Sequence, residues 1–218
     1  MQLVATLRGV AGGFKIGNRL FTTEGPTLVR RIVDAGSRVF LDLKYHDIPN
    51  TVEQAVEAAV GTGVWMINVH ASGGTAMMEA AARAARETSS RLGRPAPLMI
   101  GVTVLTSMDA NDLAEIGIHA SPAEQVERLT SLTARTDLRG LVCSPLEIVR
   151  LRQILPVEMQ LVTPGIRPAD AEKGDQKRTL TPAEAISAGA SWLVIGRPIY
   201  AASDPCVAAE KILASLAT

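Results

Sequence analysis

The sequence predicts a TIM-type (β/α) barrel with seven of its eight strands visible, built as one domain over residues 1–218. Three observations predict it. Short, continuously apolar, β-branched runs recur along the chain, as strands buried on both faces of a parallel sheet do. Amphipathic segments with marked starts separate those runs, and so regular an alternation of strand and helix means parallel β/α architecture. Polar residues then gather at the C-terminal ends of the runs: Lys15, Asp42 and Lys44, Asn68 and His70, Thr106, Arg167, and Gly196 with Arg197. A barrel draws its chemistry from many strand ends, whereas an open sheet uses a crevice at one switch point.

Taken in order, residues 1–10 read as a helix with Leu3, Val4 and Leu7 on one face. The strand runs are 13–17, 38–45, 64–70, 97–105, 140–144, 160–166 and 191–199. Ser121-Pro122-Ala123-Glu124, Ser144-Pro145-Leu146-Glu147 and Thr181-Pro182-Ala183-Glu184 each place a hydroxyl cap, a proline at the first helical position and a glutamate at the third. Thr51 with Gln54 reads as a fourth such start. Gly36 and Gly93 stand where helix ends favour a left-handed residue. Seven strands are one short of a closed barrel of this type. The count therefore predicts an upstream extension of roughly 15–25 residues, carrying one strand that ends in an aspartate facing Lys15. It also predicts an open seam beside the 13–17 strand.

Lys plus Arg and Asp plus Glu both number 22, so no basic excess is present to neutralise a nucleic-acid backbone. Recognition of negative charge must be local. The only cysteines, Cys143 and Cys206, lack metal-ligand spacing and read as reduced thiols in a cytoplasmic protein. No apolar run reaches the length of a membrane span, and residues 1–5 lack the charged start of a signal peptide.

The sharpest chemistry lies in Phe40-Leu41-Asp42-Leu43-Lys44-Tyr45-His46-Asp47-Ile48-Pro49-Asn50-Thr51. Asp42 and Lys44 are two apart on a strand and so share a face. Two charges on a buried strand must be compensated by each other or by a ligand. With Asp47 past the strand end and Lys15 on a neighbouring strand, an alternating Lys–Asp–Lys–Asp network is expected at the site-forming end. A structural ion-pair seal is the alternative, and such seals rarely occupy that end. Gly196-Arg197-Pro198 follows the last strand, where barrels often bind phosphate, and an arginine can grip phosphate bidentately. The glycine-bearing stretch 165–174 is long for a β/α connection and suits a lid. His46 and His70 near the mouth are expected to serve structural hydrogen bonding, and Met77 and Met78 helix packing.

The 40–51 stretch resembles the bacterial type of orotidine 5′-phosphate decarboxylase. So do Asn68-Val69-His70-Ala71-Ser72-Gly73-Gly74, Val102-Thr103-Val104-Leu105-Thr106-Ser107 and Thr163-Pro164-Gly165-Ile166-Arg167-Pro168. Gly174-Asp175-Gln176-Lys177-Arg178 and Ile195-Gly196-Arg197-Pro198-Ile199 complete the set, in the family's order from about residue 13 onward. The resemblance implies conversion of orotidine 5′-phosphate to UMP in a homodimer whose sites lie at the interface, without metal or organic cofactor. It implies that Lys44 is the proton donor and Asp42 the carboxylate beside it, with Lys15 completing the charge network and touching the ribose. Asp47 and Thr51 resemble residues that reach across the interface to the partner's ribose. Thr106 resembles the residue reading the pyrimidine edge and Gln176 the lid residue bridging base and phosphate. Arg167, Gly196 and Arg197 fall at substrate contacts, the last two at the phosphate. The family opens with a strand ending in Ala-Leu-Asp, and this chain departs from it there.

Two rival functions fit parts of the pattern. An Asp-x-Lys-x-x-Asp strand also occurs in related barrels acting on sugar phosphates with magnesium, which would not be expected to carry the Gln176 motif. A catalytically impaired nucleotide-binding barrel would fit the absent first strand.

Overall fold

The structure, a computed structural model, describes residues 1–168 and 179–216. The chain divides into two compact units, Met1–Gly101 with Leu132–Arg139, and Val102–Ser131 with Gly140–Thr218.

The first unit begins with helix α1 (Gln2–Leu7), which buries Val4 and Leu7. Leu3 stays 39% exposed, so the apolar stripe is narrower than the expected three residues. Strand β1 (Phe14–Gly17) leads into α2 (Asn18–Asp34), which kinks at Gly25. There φ is 65°, a conformation that costs glycine little, and Pro26 opens the next helical segment with its preset φ. Then follow β2 (Val39–Tyr45), α3 (Pro49–Val60), β3 (Met66–His70), a 3₁₀ turn (Ala71–Gly73), α4 (Gly74–Arg91) and β4 (Leu98–Val102). Gly36 closes α2 in a Schellman arrangement, with its N–H on the Val33 carbonyl at 2.8 Å and the Ser37 N–H on that of Ile32 at 3.2 Å. Gly93 does the same for α4, through Ser90 and Ser89. Helix α3 packs Val52, Val56, Ala59 and Val60 toward α4, whose face carries Met77, Met78 and a run of buried alanines. Each fully buried valine or methionine stabilises the pair by roughly 1.5–3 kcal/mol.

The second unit contains α5 (Ala110–Glu115), most of α6 (Pro122–Thr133), β5 (Gly140–Val142), α7 (Ile148–Ile154) and β6 (Gln160–Thr163). It continues with α8 (Pro182–Ser187), β7 (Trp192–Leu193), α9 (Arg197–Tyr200) and α10 (Pro205–Ala214). Both halves of the capping box form at Ser121 and Thr181, whereas at Ser144 only the glutamate half does and the Ser144 hydroxyl is buried without a hydrogen bond. Glu124 accepts the Ser121 N–H, Glu147 that of Ser144 and Glu184 that of Thr181, at 2.8, 2.7 and 2.8 Å. A further box, Asp109 with Asp112, starts α5 and was not anticipated, because it lacks both the proline and the hydroxyl of the others.

Seven strands are present among the described residues, and β1 pairs with β2, β2 with β3, β5 with β6 and β6 with β7, each in parallel. This is the TIM-type β/α plan the sequence predicts. Several expected boundaries need correction. The 191–199 run is strand only at Trp192 and Leu193, because Pro198, near the start of α9, sets up a helical turn over Arg197–Tyr200. The 97–105 run leaves the sheet after Val102, the 140–144 run after Val142 and the 160–166 run after Thr163; the rest of each run is loop, apart from a bridge of Ile166 to Leu180. Apolar composition marks burial, and loops that fold back over a core are as apolar as the strands they leave. The Thr51 capping box does not form: Ile48 is the N-cap and Pro49 sits in the first turn, which places Thr51 inside the helix. No described helix is long and apolar enough to cross a membrane.

Candidate active site

In the first unit, β1, β2 and β3 bring four polar side chains together. Gly17 stands beside Asp42 in the β1–β2 register, and Phe40–Met66 and Leu41–Ile67 set the β2–β3 register. That registration places Asp42 beside Asn68. The Asp42 carboxylate takes the Lys15 ammonium on Oδ2 at 2.9 Å and the Lys44 ammonium on Oδ1 at 2.6 Å. Asn68 Nδ2 also donates to Oδ1, at 2.7 Å. Asp42 is buried while the two lysines are about a third exposed, so the network opens to one side rather than closing into a core. Burial alone would raise the Asp42 pKa; the Lys15 charge, the hydrogen bond and charge of Lys44 and the Asn68 bond outweigh it and hold the carboxyl below its ordinary range. Gly17 leaves room for this arrangement, since a Cβ there would stand 3.1 Å from Lys15 Nζ.

The Asp42–Lys44 contact expected from the two-residue spacing forms, but not by simple strand alternation. Between Leu41 and Tyr45 the register with β3 slips: Leu41 pairs Ile67 and Tyr45 pairs Val69, so β2 carries two extra residues. Lys44 lies in this bulge with φ 52°, the left-handed region that a lysine rarely occupies. Strain of this kind costs about 1–3 kcal/mol and gathers at functional sites. The Lys44 backbone N–H donates instead to Asn68 Oδ1, at 2.8 Å. Asn68 was visible in the sequence only as one more polar strand residue. Its signal was a buried-strand position carrying an amide, which no apolar core requires.

Within this chain and among the described residues, the network has three members, Lys15, Asp42 and Lys44. Asp47 is exposed, accepts the Ile48 N–H on Oδ1 at 2.6 Å, and forms no ion pair among the described residues. Thr51 is exposed in the first turn of α3. The His46 and His70 rings lie tilted at 42° with centroids 5.4 Å apart, and burial, reinforced by the His46 and Lys44 charges, lowers the His70 pKa against the pull of Asp42. Neither is in the lysine–aspartate network.

The second unit holds the other expected residues. Thr106 is half-buried in the turn after β4. Arg167 is buried, with Nη1 donating to the Ile166 carbonyl at 2.8 Å and its N–H to that of Leu180 at 3.0 Å. Gly196 precedes α9, whose first residue, Arg197, is exposed; a Cβ on Gly196 would stand 3.3 Å from Tyr200 Cε1. Gln176 lies outside the described residues. Among those described, no group of three or more His, Cys, Asp or Glu side chains is placed to hold a metal ion.

The family model described as "Orotidine 5'-phosphate decarboxylase / HUMPS family" matches residues 1–212. The chain belongs to the orotidine 5′-phosphate decarboxylase / HUMPS family. Within that family it is 52% identical over 216 residues to an orotidine 5′-phosphate decarboxylase of Moorella thermoacetica, covering 99% of this chain and 86% of that protein. It is also 52% identical over 202 residues to the orotidine 5′-phosphate decarboxylase of Shigella flexneri, covering 93% of this chain and 81% of that one. Among solved structures, the orotidine 5′-phosphate decarboxylase of Lactobacillus acidophilus superposes with a TM-score of 0.86 at 34% identity, over 100% of this chain and 94% of that one.

Proposed function

We propose that this chain decarboxylates orotidine 5′-phosphate to UMP, the last step of pyrimidine nucleotide synthesis. The observation that carries the reading is the Lys15–Asp42–Lys44 network, in a chain 52% identical to decarboxylases of that name. Loss of CO2 from C6 of the pyrimidine leaves an electron pair with no adjacent carbonyl to delocalise it. Preorganised charge and a proton are then what side chains can supply. The C6–carboxyl bond breaks, its electron pair stays on C6, and an N–H bond of the Lys44 ammonium gives its proton to C6. Lysine left neutral regains a proton from water. Asp42, gripped on both oxygens, aims the ammonium before substrate arrives, so little reorganisation remains for the transition state.

Asp47 and Thr51, exposed and outside the network, suit the role of reaching a partner subunit's ribose, so the working unit is a cytoplasmic homodimer with sites at its interface. Lys15 would touch the ribose, Thr106 the pyrimidine edge and Gln176 both base and phosphate, with Arg167 a further substrate contact. Gly196 and Arg197 would take the phosphate, remote from C6, and use its binding energy to order the site. The test follows absorbance loss on adding orotidine 5′-phosphate, with and without EDTA. EDTA-insensitive turnover is expected. A magnesium requirement would favour a sugar-phosphate enzyme of the same superfamily, and binding without turnover an impaired relative.

A further inference from the structure

The bulge that carries Lys44 is braced by a side chain from the next strand. Asn68 is fully buried in β3, and its amide is used at both ends: Oδ1 accepts the Lys44 N–H at 2.8 Å, and Nδ2 donates to Asp42 Oδ1 at 2.7 Å. The two partners fix the amide's orientation, because an N–H must meet an oxygen and a carboxylate must meet an NH2. The register slip between Leu41 and Tyr45 takes the Lys44 N–H out of the regular ladder, and Asn68 supplies the acceptor in its place. Without it, a left-handed lysine would carry both backbone strain and an unmet N–H.

We propose that Asn68 is a positioning residue for the decarboxylation: by tying the Lys44 backbone and the Asp42 carboxylate to one rigid amide, it sets where the Lys44 ammonium points. The claim rests on the proposed function for its activity readout and goes beyond it in assigning a role to a residue that acts through Lys44 and Asp42. The charged groups facing Asn68 are Asp42 and Lys44 on β2, with Lys15 on β1 behind Asp42 and His70 two residues along β3. Strand β4, Leu98–Val102, carries no titratable side chain.

The test compares wild type, Asn68→Leu and Asn68→Asp across pH 5–9, with kcat and KM for orotidine 5′-phosphate and the melting temperature at each pH. Leucine keeps the branching of the side chain, adds some bulk and removes both bonds. It should lower kcat at least about tenfold at every pH relative to wild type, with KM changed less than about threefold. The aspartate is the more telling variant. Ionised, it faces Asp42 as a second carboxylate and donates nothing. Protonated, its O–H can donate to Asp42 and its carbonyl can accept the Lys44 N–H, which rebuilds the asparagine geometry. Two adjacent carboxylates share a proton well above the ordinary carboxylate range. Relative to wild type, kcat of Asn68→Asp should therefore rise at least about tenfold as the pH falls from 9 to 5, while that of Asn68→Leu stays flat. A profile for Asn68→Asp parallel to wild type, a kcat for Asn68→Leu within threefold of wild type, or losses that appear only in KM would each overturn the proposal. If Asn68→Leu does not fold, the Asn68→Asp profile decides alone. If neither folds, Asn68 is a structural residue and the proposal fails. Wild-type turnover separates the two claims, since a wild type inactive on orotidine 5′-phosphate rejects the function itself.

Discussion

Two polar clusters, one in each unit, use the same kinds of bond to opposite ends. In the first unit, Asp42 gathers Lys15, Lys44 and Asn68, with lysines partly exposed and one of them in the left-handed region. In the second, Arg152 donates Nε to the Gly189 carbonyl at 2.9 Å, Nη1 to that of Met159 at 2.8 Å and Nη2 to Ser191 Oγ at 2.9 Å. Met159 and Ser191 stand just before β6 and β7, so this guanidinium staples the entries of two strands. Gly189 gives way to it, at φ 109°, because a Cβ there would press on Arg152 Cγ at 2.9 Å. The arginine's acceptors are neutral, two carbonyls and a hydroxyl. The aspartate's partners include two ammonium groups that are open to one side. A polar cluster that is satisfied and unstrained holds the fold; one that concentrates charge on a strained backbone is poised to act on something else.

The largest expected effect sharpens that contrast. Lys44→Ala should cut kcat by several orders of magnitude while the protein stays folded, measured by turnover and circular dichroism, because it removes a transition-state interaction. Retention of a tenth of wild-type turnover would remove Lys44 as the donor. Lys44→Gly should be equally inactive yet about 1 kcal/mol more stable than Lys44→Ala in denaturant melts, since only glycine occupies φ 52° without strain.

Arg197→Ala should raise KM for the nucleotide by roughly two orders of magnitude while barely changing use of the phosphate-free nucleoside, if the arginine grips phosphate. Equal losses on both substrates would assign Arg197 another task. A smaller recovery experiment tests the exposed Asp47. Lys44→Ala and Asp47→Asn homodimers should each be inactive, and an equal mixture after subunit exchange should regain about a quarter of wild-type turnover, because half the dimers carry one intact site. No recovery after verified exchange would place Asp47 in its own subunit's site.

Arg152→Met should do the reverse of the Lys44 changes. It should leave kcat nearly unaltered and cost roughly 2–4 kcal/mol in urea melts, from three acceptors left unmet. A stable protein with impaired turnover would dissolve the distinction drawn between the clusters. The smallest effect is on acid stability. The folded pKa of Asp42 lies below the ordinary 3.8, so its ionised form contributes stability above that value, and the contribution is lost as the pH falls through the lowered pKa. Asp42→Asn should lack this part of the acid transition, whereas Arg152→Met should keep it, because carbonyls and a hydroxyl do not titrate there. Superimposable acid melts for wild type and Asp42→Asn would contradict the assigned direction.

Much of the site was legible because its chemistry depends on residue type and short spacing. Asp42 and Lys44 announce themselves as charges in an apolar strand, and Ser121, Ser144 and Thr181 announce helix starts because capping is satisfied within three residues. Thr51 misled for the same reason, since the pattern alone does not reveal that Pro49 begins the helix earlier.

By itself the sequence determined the alternation of strand and helix, the residue types at the strand ends and most of the helix starts, all of which rest on periodicity, capping and burial within a few residues. Tertiary structure alone decided the two-residue slip in β2, the left-handed Lys44, the double use of the Asn68 amide and the Arg152 staple. Each of these depends on the register between neighbouring strands or on contacts between residues tens of positions apart. A bulge orphans a backbone group that must find another partner, and here a side chain from the adjacent strand provides it.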